Sequence, residues 1–335
     1  MINRIIEISE ELSREHRKDP DLISRMETAR QGQFPRFLMI SPISRCSQDL
    51  ELFGMAMGDA FRGTRVPGVP LLPPGRSRIL WGGPLAYNQE FPDKRGVILT
   101  FEQDEAESMI KESLDNLALH PDIKGIPIIV FRVDYEQGRA RIMVHGKGRN
   151  YELENRLLSR LQRPGSLDSS TLVLLCSDSR VRPPVTPQGV PMAIQTLGGY
   201  IPKYSGTDDE TLQLAGFFAE WLPLDAASRQ ILILAHGNFE GEGPSCGAGR
   251  ASLNPESVKN PFLRSVITEL QHAALPFEHH QPKNAEERVK SLSLAIKENL
   301  LSYPAVHSFA ESHPAHFIEI LLIDTVSNVL SMTDI

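Results

Sequence analysis

Short apolar runs alternate with longer amphipathic stretches along most of the chain. The apolar runs predict buried strands, at 36–40, 127–135, 140–145, 171–176, 192–196 and 231–235. Apolar residues at helical spacing predict helices, over 4–18, 102–119, 150–163, 258–273 and 285–301. Because strands that alternate with helices usually lie parallel, we expect an α/β fold with a mostly parallel β-sheet flanked by helices. The last elements, 317–324 and 329–332, predict a C-terminal antiparallel hairpin.

Two local patterns carry further predictions. Arg78 to Trp81 has the composition of a short strand. Thr207 and Glu210 have the spacing of a capping box, which predicts a helix with Thr207 as its N-cap. Apolar and aromatic residues then follow at helical spacing, which indicates packing in the core: Leu214, Phe217, Phe218, Trp221 and Leu222.

Composition narrows the class of protein. The chain has 335 residues, 41% hydrophobic and 23% charged, which is typical of a globular protein with one large or two modest domains. A net charge of −7 argues against nucleic acid as a partner. Three cysteines far apart in sequence favour a reducing compartment over a disulfide scaffold. Since no apolar stretch approaches the ~20 residues that span a bilayer, we expect no membrane association and a cytoplasmic protein, with microcompartment association left open.

Metal-ligand residues follow two of the predicted strands at the point where each ends. Cys176, Asp178 and Arg180 occupy alternate positions after one strand, so in an extended backbone their side chains share one face. His236 directly follows another strand, and Cys246 comes after a glycine-rich loop. Because the carboxyl ends of parallel strands meet at one edge of a sheet, we expect these side chains to converge.

Two thiolates and an imidazole are typical zinc ligands, and three protein ligands leave a fourth position open. Asp178 has two alternatives: it completes the zinc site, or it pairs with Arg180 and leaves that position to water. A fully closed structural zinc site is one competing interpretation. Unrelated core cysteines and a core histidine are the other.

With these motifs the sequence resembles the β-carbonic anhydrases over roughly residues 170–335. The resemblance rests on Cys-Ser-Asp-Ser-Arg-Val at 176–181, an apolar strand that ends in His236, and Cys-Gly-Ala at 246–248. The family usually has two residues between this histidine and cysteine, whereas this chain has nine, Gly237 to Ser245. A comparably long loop occurs in the carboxysomal shell variant, which also combines an intact and a degenerate copy in one chain.

The resemblance implies that Cys176, His236 and Cys246 bind zinc, and that Asp178 and Arg180 form a catalytic pair. The implied activity is the reversible hydration of carbon dioxide to bicarbonate. In it, Asp178 orients a zinc-bound hydroxide, while Arg180 keeps Asp178 ionised and off the metal.

The same resemblance places Gly198 and Gly199 beside the substrate, with a simple strand-ending turn as the alternative for both. Because the family builds its site at a dimer interface, we expect a homodimer or an intrachain pseudo-dimer. Two other functions stay open. The scaffold also suits a hydrolase of carbon disulfide or carbonyl sulfide, and the long loop suits a non-catalytic, zinc-stabilised protein that binds bicarbonate or acts as a scaffold.

An internal similarity suggests how the chain is organised. Phe37 to Arg45 can be aligned with Leu172 to Arg180, which puts Ser41 at the position of Cys176 and Ile43 at that of Asp178. We therefore expect a helical arm at 1–30, a shortened metal-free copy or accessory α/β region at 31–150, and a zinc-binding catalytic domain at 151–335. Chance similarity is the alternative to duplication.

Overall fold

The computed structural model describes residues 1–91, 96–146, 156–158, 161–222, 229–239, 241, 243–313 and 317–333. The predicted fold class is confirmed: the chain is α/β, its strands are mostly parallel, helices flank them, and the last two strands form an antiparallel hairpin. The strands divide between two sheets rather than joining one. None of the helices in the described ranges combines the length and apolar character needed to cross a bilayer.

The first sheet has the strand order β2-β1-β3-β4-β5-β6. Its strands are β1 (Phe37–Pro42), β2 (Ala60–Arg65), β3 (Val97–Glu102), β4 (Ile128–Asp134), β5 (Arg139–Gly146) and β6 (Arg156–Leu158). The first four run parallel, and β4, β5 and β6 form antiparallel pairs. Through β6 this sheet extends past residue 150, into the range where we predicted the second domain.

The second sheet has the order β11-β10-β9-β7-β8. Its strands are β7 (Leu167–Cys176), β8 (Val190–Thr196), β9 (Gln230–Gly237), β10 (Ile318–Asp324) and β11 (Leu330–Met332). The pairs β7–β8, β7–β9 and β9–β10 are parallel, and β10–β11 is antiparallel. All residues of β8 and β9 are buried, so both faces of these two strands are covered by other parts of the chain.

The two sheets share one topology. If β1 is placed on β7, then β2, β3, β4 and β5 fall on β8, β9, β10 and β11, with the same direction in every pair. This correspondence agrees with the alignment of Phe37–Arg45 with Leu172–Arg180. An internal duplication would produce it, and the duplication stays our hypothesis.

Helices cover both sheets. They are α1 (Ile2–His16), α2 (Pro20–Gln31), α3 (Cys46–Leu52), α4 (Gly83–Asn88), α5 (Glu107–Ala118), α6 (Asp209–Trp221), α7 (Gly247–Leu253), α8 (Pro261–Ala274), α9 (Ala285–Leu301) and α10 (Pro304–Ser312). The predicted N-terminal helix is confirmed as α1, which packs against β11 of the second sheet. In the second half, α9 packs on β9 and on both α7 and α8.

Three local predictions differ from the structure. Arg78–Gly82 is a π-helix that leads into α4, not a strand. The N-cap of α6 is Asp208, whose carboxylate accepts the backbone N–H of Thr211 at 2.9 Å, so Thr207 lies one residue outside the helix. Most of the helix predicted over 150–163 falls outside the described residues, and Arg156–Leu158 within it is a strand.

The two sheets meet at their edge strands β2 and β8. Backbone groups in or next to β2 bind the segment after β7, and β8 binds the segment after β1. Backbone N–H groups of Gly58 and Arg62 donate to the carbonyls of Ser179 and Ser177, at 2.8 and 3.0 Å. In the reverse direction, Ala193 N–H donates to the carbonyl of Ile43 at 3.1 Å. The first half of the chain therefore holds the backbone of the Cys-Ser-Asp-Ser-Arg segment in place.

Candidate metal and catalytic site

Asp178 and Arg180 form a buried, two-pronged ion pair just beyond the end of β7. The guanidinium donates from Nε to Asp178 Oδ1 at 2.9 Å and from Nη2 to Oδ2 at 2.5 Å. The backbone N–H of Arg180 also donates to Oδ1 at 2.9 Å, which fixes the turn between the two residues. Of the two positions left open for Asp178, the structure therefore has the one paired with Arg180.

The environment favours the ionised form of this carboxyl group. Burial opposes ionisation, but the charge and hydrogen bonds of Arg180 outweigh it and lower the pKa of Asp178 below its usual value. The guanidinium is held in turn: Nη1 lies 3.5 Å from the carbonyl of Ala29 on α2, and Nη2 lies 3.5 Å from that of Ser245. Arg180 thus ties the N-terminal arm and the long loop to the carboxylate.

His236 is oriented by a residue that sequence reasoning missed, Thr325. The Thr325 hydroxyl donates its single proton to the carbonyl of Gly237 at 3.0 Å and lies 3.1 Å from His236 Nδ1. Because that proton is already used, the hydroxyl accepts from Nδ1, which places the imidazole proton on Nδ1. The lone pair then resides on Nε2, a buried atom with no hydrogen-bond partner among the described residues.

Cys246 is the N-cap of α7, and both cysteine sulfurs receive backbone donors. Gly249 N–H donates to Cys246 Sγ at 3.3 Å, and Gly198 N–H donates to Cys176 Sγ at 3.2 Å. Such donors stabilise a thiolate. Burial first, and then the neighbouring Cys246, raise the pKa of Cys176 well above its usual value, a shift that a bound cation would oppose.

The three ligand residues converge within the size of a zinc site. The sulfurs of Cys176 and Cys246 and a ring nitrogen of His236 all lie within 4.8 Å of one another. The two sulfurs are 3.9 Å apart. Two sulfurs bound to one zinc at ~2.3 Å in tetrahedral geometry lie about 3.8 Å apart, so the spacing fits. Asp178 Oδ2 is 3.9 Å from His236 Nε2, beside the cluster.

Gly198 and Gly199 lie in a tight turn directly after β8. Both have positive φ, +65° and +70°, a conformation that side chains disfavour. A Cβ on Gly198 would lie 2.9 Å from Leu292 Cδ2, and one on Gly199 would contact the backbone of Leu175. The backbone N–H of Gly198 in this turn donates to Cys176 Sγ, and contact of the two glycines with a substrate stays a prediction.

Residues from the first half of the chain also reach the cluster, and no motif in the sequence pointed to them. A Cβ on Gly247 would overlap with Tyr87 Oη and lie 3.4 Å from Gln33 Nε2, so both side chains lie against the residue next to Cys246. Burial and the nearby Asp178 raise the pKa of Tyr87, which keeps its hydroxyl protonated. A cavity of about 700 Å³ beside Arg180 opens between α2 and residues 57–59.

Comparisons with known proteins give likenesses at the level of structure. No protein-family model and no curated protein matches the chain. Solved structures similar to it include the β-carbonic anhydrase CcaA, at 22% identity and a TM-score of 0.35 over 48% of this chain and 77% of that one. A β-carbonic anhydrase of Sordaria macrospora shares 16% identity at a TM-score of 0.35, over 50% of this chain and 81% of that one. A carbon disulfide hydrolase shares 14% identity at a TM-score of 0.25, over 49% and 78%.

Proposed function

We propose that this protein is a zinc-dependent enzyme of the β-carbonic anhydrase type that interconverts carbon dioxide and bicarbonate. One observation carries the proposal: a buried Cys-His-Cys cluster of zinc-site dimensions lies beside a carboxylate that is locked by an arginine. The three-ligand set suits catalytic zinc, which keeps one coordination position for a reacting molecule.

In this proposal Cys176, His236 and Cys246 hold the metal, which would supply a water activated for attack on carbon dioxide. Asp178 would accept a hydrogen bond from that water and so orient it towards carbon dioxide. Arg180 occupies both carboxylate oxygens, so Asp178 stays ionised and does not close the site. Thr325 keeps the His236 proton on Nδ1, and the buried surroundings exclude bulk solvent.

The first half of the chain takes the part of a second subunit in this proposal. It binds the backbone at Ser177 and Ser179 and brings Tyr87 and Gln33 to the cluster. We therefore propose an intrachain pseudo-dimer, with 31–150 as a metal-free copy. Association of whole chains and a cytoplasmic location are further proposals, and the second is drawn from the sequence.

The decisive experiment is stopped-flow hydration of carbon dioxide with wild type and Asp178→Asn. We expect the variant to lose at least about a hundredfold in kcat/KM, since a positioned proton acceptor contributes about that much. Asp209→Asn is the matched control, because Asp209 is a carboxylate in the first turn of α6 that pairs with Arg76 at the surface. Activity that survives in Asp178→Asn would contradict the mechanism.

Assays with two further substrates and a measurement of zinc content distinguish carbonic anhydrase activity from the alternative functions. Carbon disulfide and carbonyl sulfide would be assayed beside carbon dioxide, because the same activated water attacks any of the three. Zinc content is measured on the same samples. Full zinc occupancy with no turnover of any substrate would favour a binding or scaffolding protein and overturn the proposed activity.

A further inference from the structure

The first sheet carries a basic cleft that the proposed function does not use. It has a volume of about 430 Å³, in the range of about 300–1,000 Å³ typical of small-molecule sites. Its lining residues are Gln103, Arg132, Asp134, Gln137, Arg139, Ala140 and Arg141. Three guanidinium groups face one carboxylate there, although the whole chain carries a net charge of −7.

The position of the cleft follows from the strand directions. Gln103 comes directly after β3, and Arg132 lies near the carboxyl end of the parallel strand β4. Ligands of open α/β sheets collect outside the carboxyl ends of such strands. The β4–β5 hairpin closes the other side with Arg139 and Arg141.

Strand register places two of these positive charges directly opposite each other. Arg132 on β4 pairs with Arg141 on β5 in the antiparallel ladder. Like charges at opposed positions of a ladder repel and are destabilising unless something neutralises them. Asp134 lies opposite Arg139 in the ladder, and its carboxylate accepts the backbone N–H of Gln137 at 3.0 Å. Its negative charge therefore lies opposite only one of the three arginines.

Arg132 also has an unused donor. Its Nη2 donates to the backbone carbonyl of Glu105 at 2.8 Å, which fixes the guanidinium. Its Nε is buried and has no hydrogen-bond partner among the described residues. The carboxylate of Glu105 is not available to it, since that group is bound by Arg65, by the Gly68 N–H and by the Glu102 N–H.

From this arrangement we infer that the cleft between β3 and the β4–β5 hairpin binds the phosphate group of a small phosphorylated molecule, held by Arg132 and Arg141. Phosphate oxygens match the fork geometry of guanidinium groups and relieve the repulsion between the two side chains. The cavity volume leaves room for more than a phosphate group. The inference is independent of the metal site, with which the cleft shares no residue.

Isothermal titration calorimetry at constant ionic strength tests the site, with inorganic phosphate and adenosine monophosphate as probes. Both should bind wild type, and tighter binding of the nucleotide would identify the phosphorylated molecule rather than the free ion as the ligand. Arg141→Gln and Arg132→Gln should weaken both by about tenfold or more, because a charged hydrogen-bond donor is lost. Arg14→Gln, an exposed arginine on α1, is the control and should bind as wild type does.

Thermal unfolding gives a second readout that a loss of folding would not imitate. Without phosphate, Arg141→Gln should unfold at the same temperature as wild type or higher, because the opposed charge is gone. Phosphate at one fixed concentration should raise the midpoint of wild type by clearly more than that of Arg141→Gln. The inference is overturned if neither probe binds wild type, or if Arg14→Gln weakens binding as much as Arg141→Gln does.

Discussion

At the residue scale, the hydroxyl of Thr325 sets the protonation of the His236 ring. It determines which nitrogen of His236 carries the proton, and so which one is free for a metal. The sequence carries no local signal for this contact, since 89 residues separate the two. Partners of this kind orient metal-binding histidines and raise their basicity.

Removing that hydroxyl should therefore weaken metal binding without disturbing the core. We expect Thr325→Val to lower zinc affinity by roughly 10–100-fold, measured by competition with a chelator. Thr325→Ser keeps the hydroxyl and should stay close to wild type. Equal affinities for Thr325→Val and wild type would show that the proton position on His236 is set elsewhere.

Gly198 makes a second prediction at this scale. Its φ of +65° and the 2.9 Å approach to Leu292 Cδ2 leave no room for a methyl group. We expect Gly198→Ala to lower the free energy of unfolding by roughly 1–3 kcal/mol, measured by denaturant unfolding. Gly216, inside α6, faces open space, so Gly216→Ala should instead stabilise by about 0.5–1 kcal/mol. A change of stability in the same direction for both substitutions would contradict this prediction. It would show that positive φ and steric clash do not set the effect of alanine at these two positions.

At the scale of elements, Glu210 joins α6 to the segment 77–80, which is far from it in the sequence. Its buried carboxyl group accepts from the Ser77 hydroxyl at 3.0 Å and from the backbone N–H of Leu80 at 2.8 Å. The N–H groups of Arg78 and Ile79 bind it as well. The prediction that Glu210 belongs to a capping box was wrong. Its carboxyl group binds donors at the start of the π-helix in the first half instead of the backbone at the start of α6. Glu210 thus anchors α6 to the segment that leads to Tyr87.

Burial, partly offset by those donors, raises the pKa of Glu210 to about 7. The folded protein then holds this proton more tightly than the unfolded chain does, so stability is greatest at low pH and falls as pH rises through about 7. The expected loss is roughly 3 kcal/mol between about pH 4.5 and pH 7. Glu210→Gln cannot titrate, so its unfolding free energy should lack this component.

Denaturant unfolding of wild type and Glu210→Gln across that pH range checks the prediction. The difference between the two proteins isolates Glu210 from other titrating groups. A constant difference at every pH would mean that Glu210 has an ordinary pKa in the folded state.

At the scale of the whole molecule, the two sheets share a topology, but the Cys-His-Cys cluster lies at the second sheet. The alignment places Ser41 at the position of Cys176 and Ile43 at that of Asp178. Extending the β1–β3 and β7–β9 registers places Phe101 at the position of His236. At two of these positions the first half therefore has a serine and a phenylalanine where the second half has Cys176 and His236.

We accordingly expect one zinc per chain, measured by elemental analysis of the purified protein. Cys246→Ala should bring this value close to zero, because one of three ligands is lost. Cys46→Ala removes the cysteine of the first half and should keep the full metal content. Two equivalents of zinc in wild type would refute the loss of metal from the first half.

Part of this protein could be predicted from its sequence, because the signals were local. Apolar runs identified the strands β7, β8 and β9, and the residues that end β7 and β9 identified Cys176, Asp178 and His236. The predicted direction of the strands then placed these side chains at one edge of the sheet. The strand at 78–81 was predicted wrongly, because a short apolar run has no period that separates a strand from a helix.

Tertiary structure alone decided the rest. Whether Asp178 pairs with Arg180 or closes the metal site depends on distances that no spacing encodes. The orientation of His236 by Thr325, the approach of Tyr87 to Gly247 and the opposition of Arg132 to Arg141 all join residues on different elements. Local sequence determines which backbone segments form and which groups they carry. Only the packing of those segments sets the angstrom-scale contacts on which ionisation, metal binding and repulsion depend.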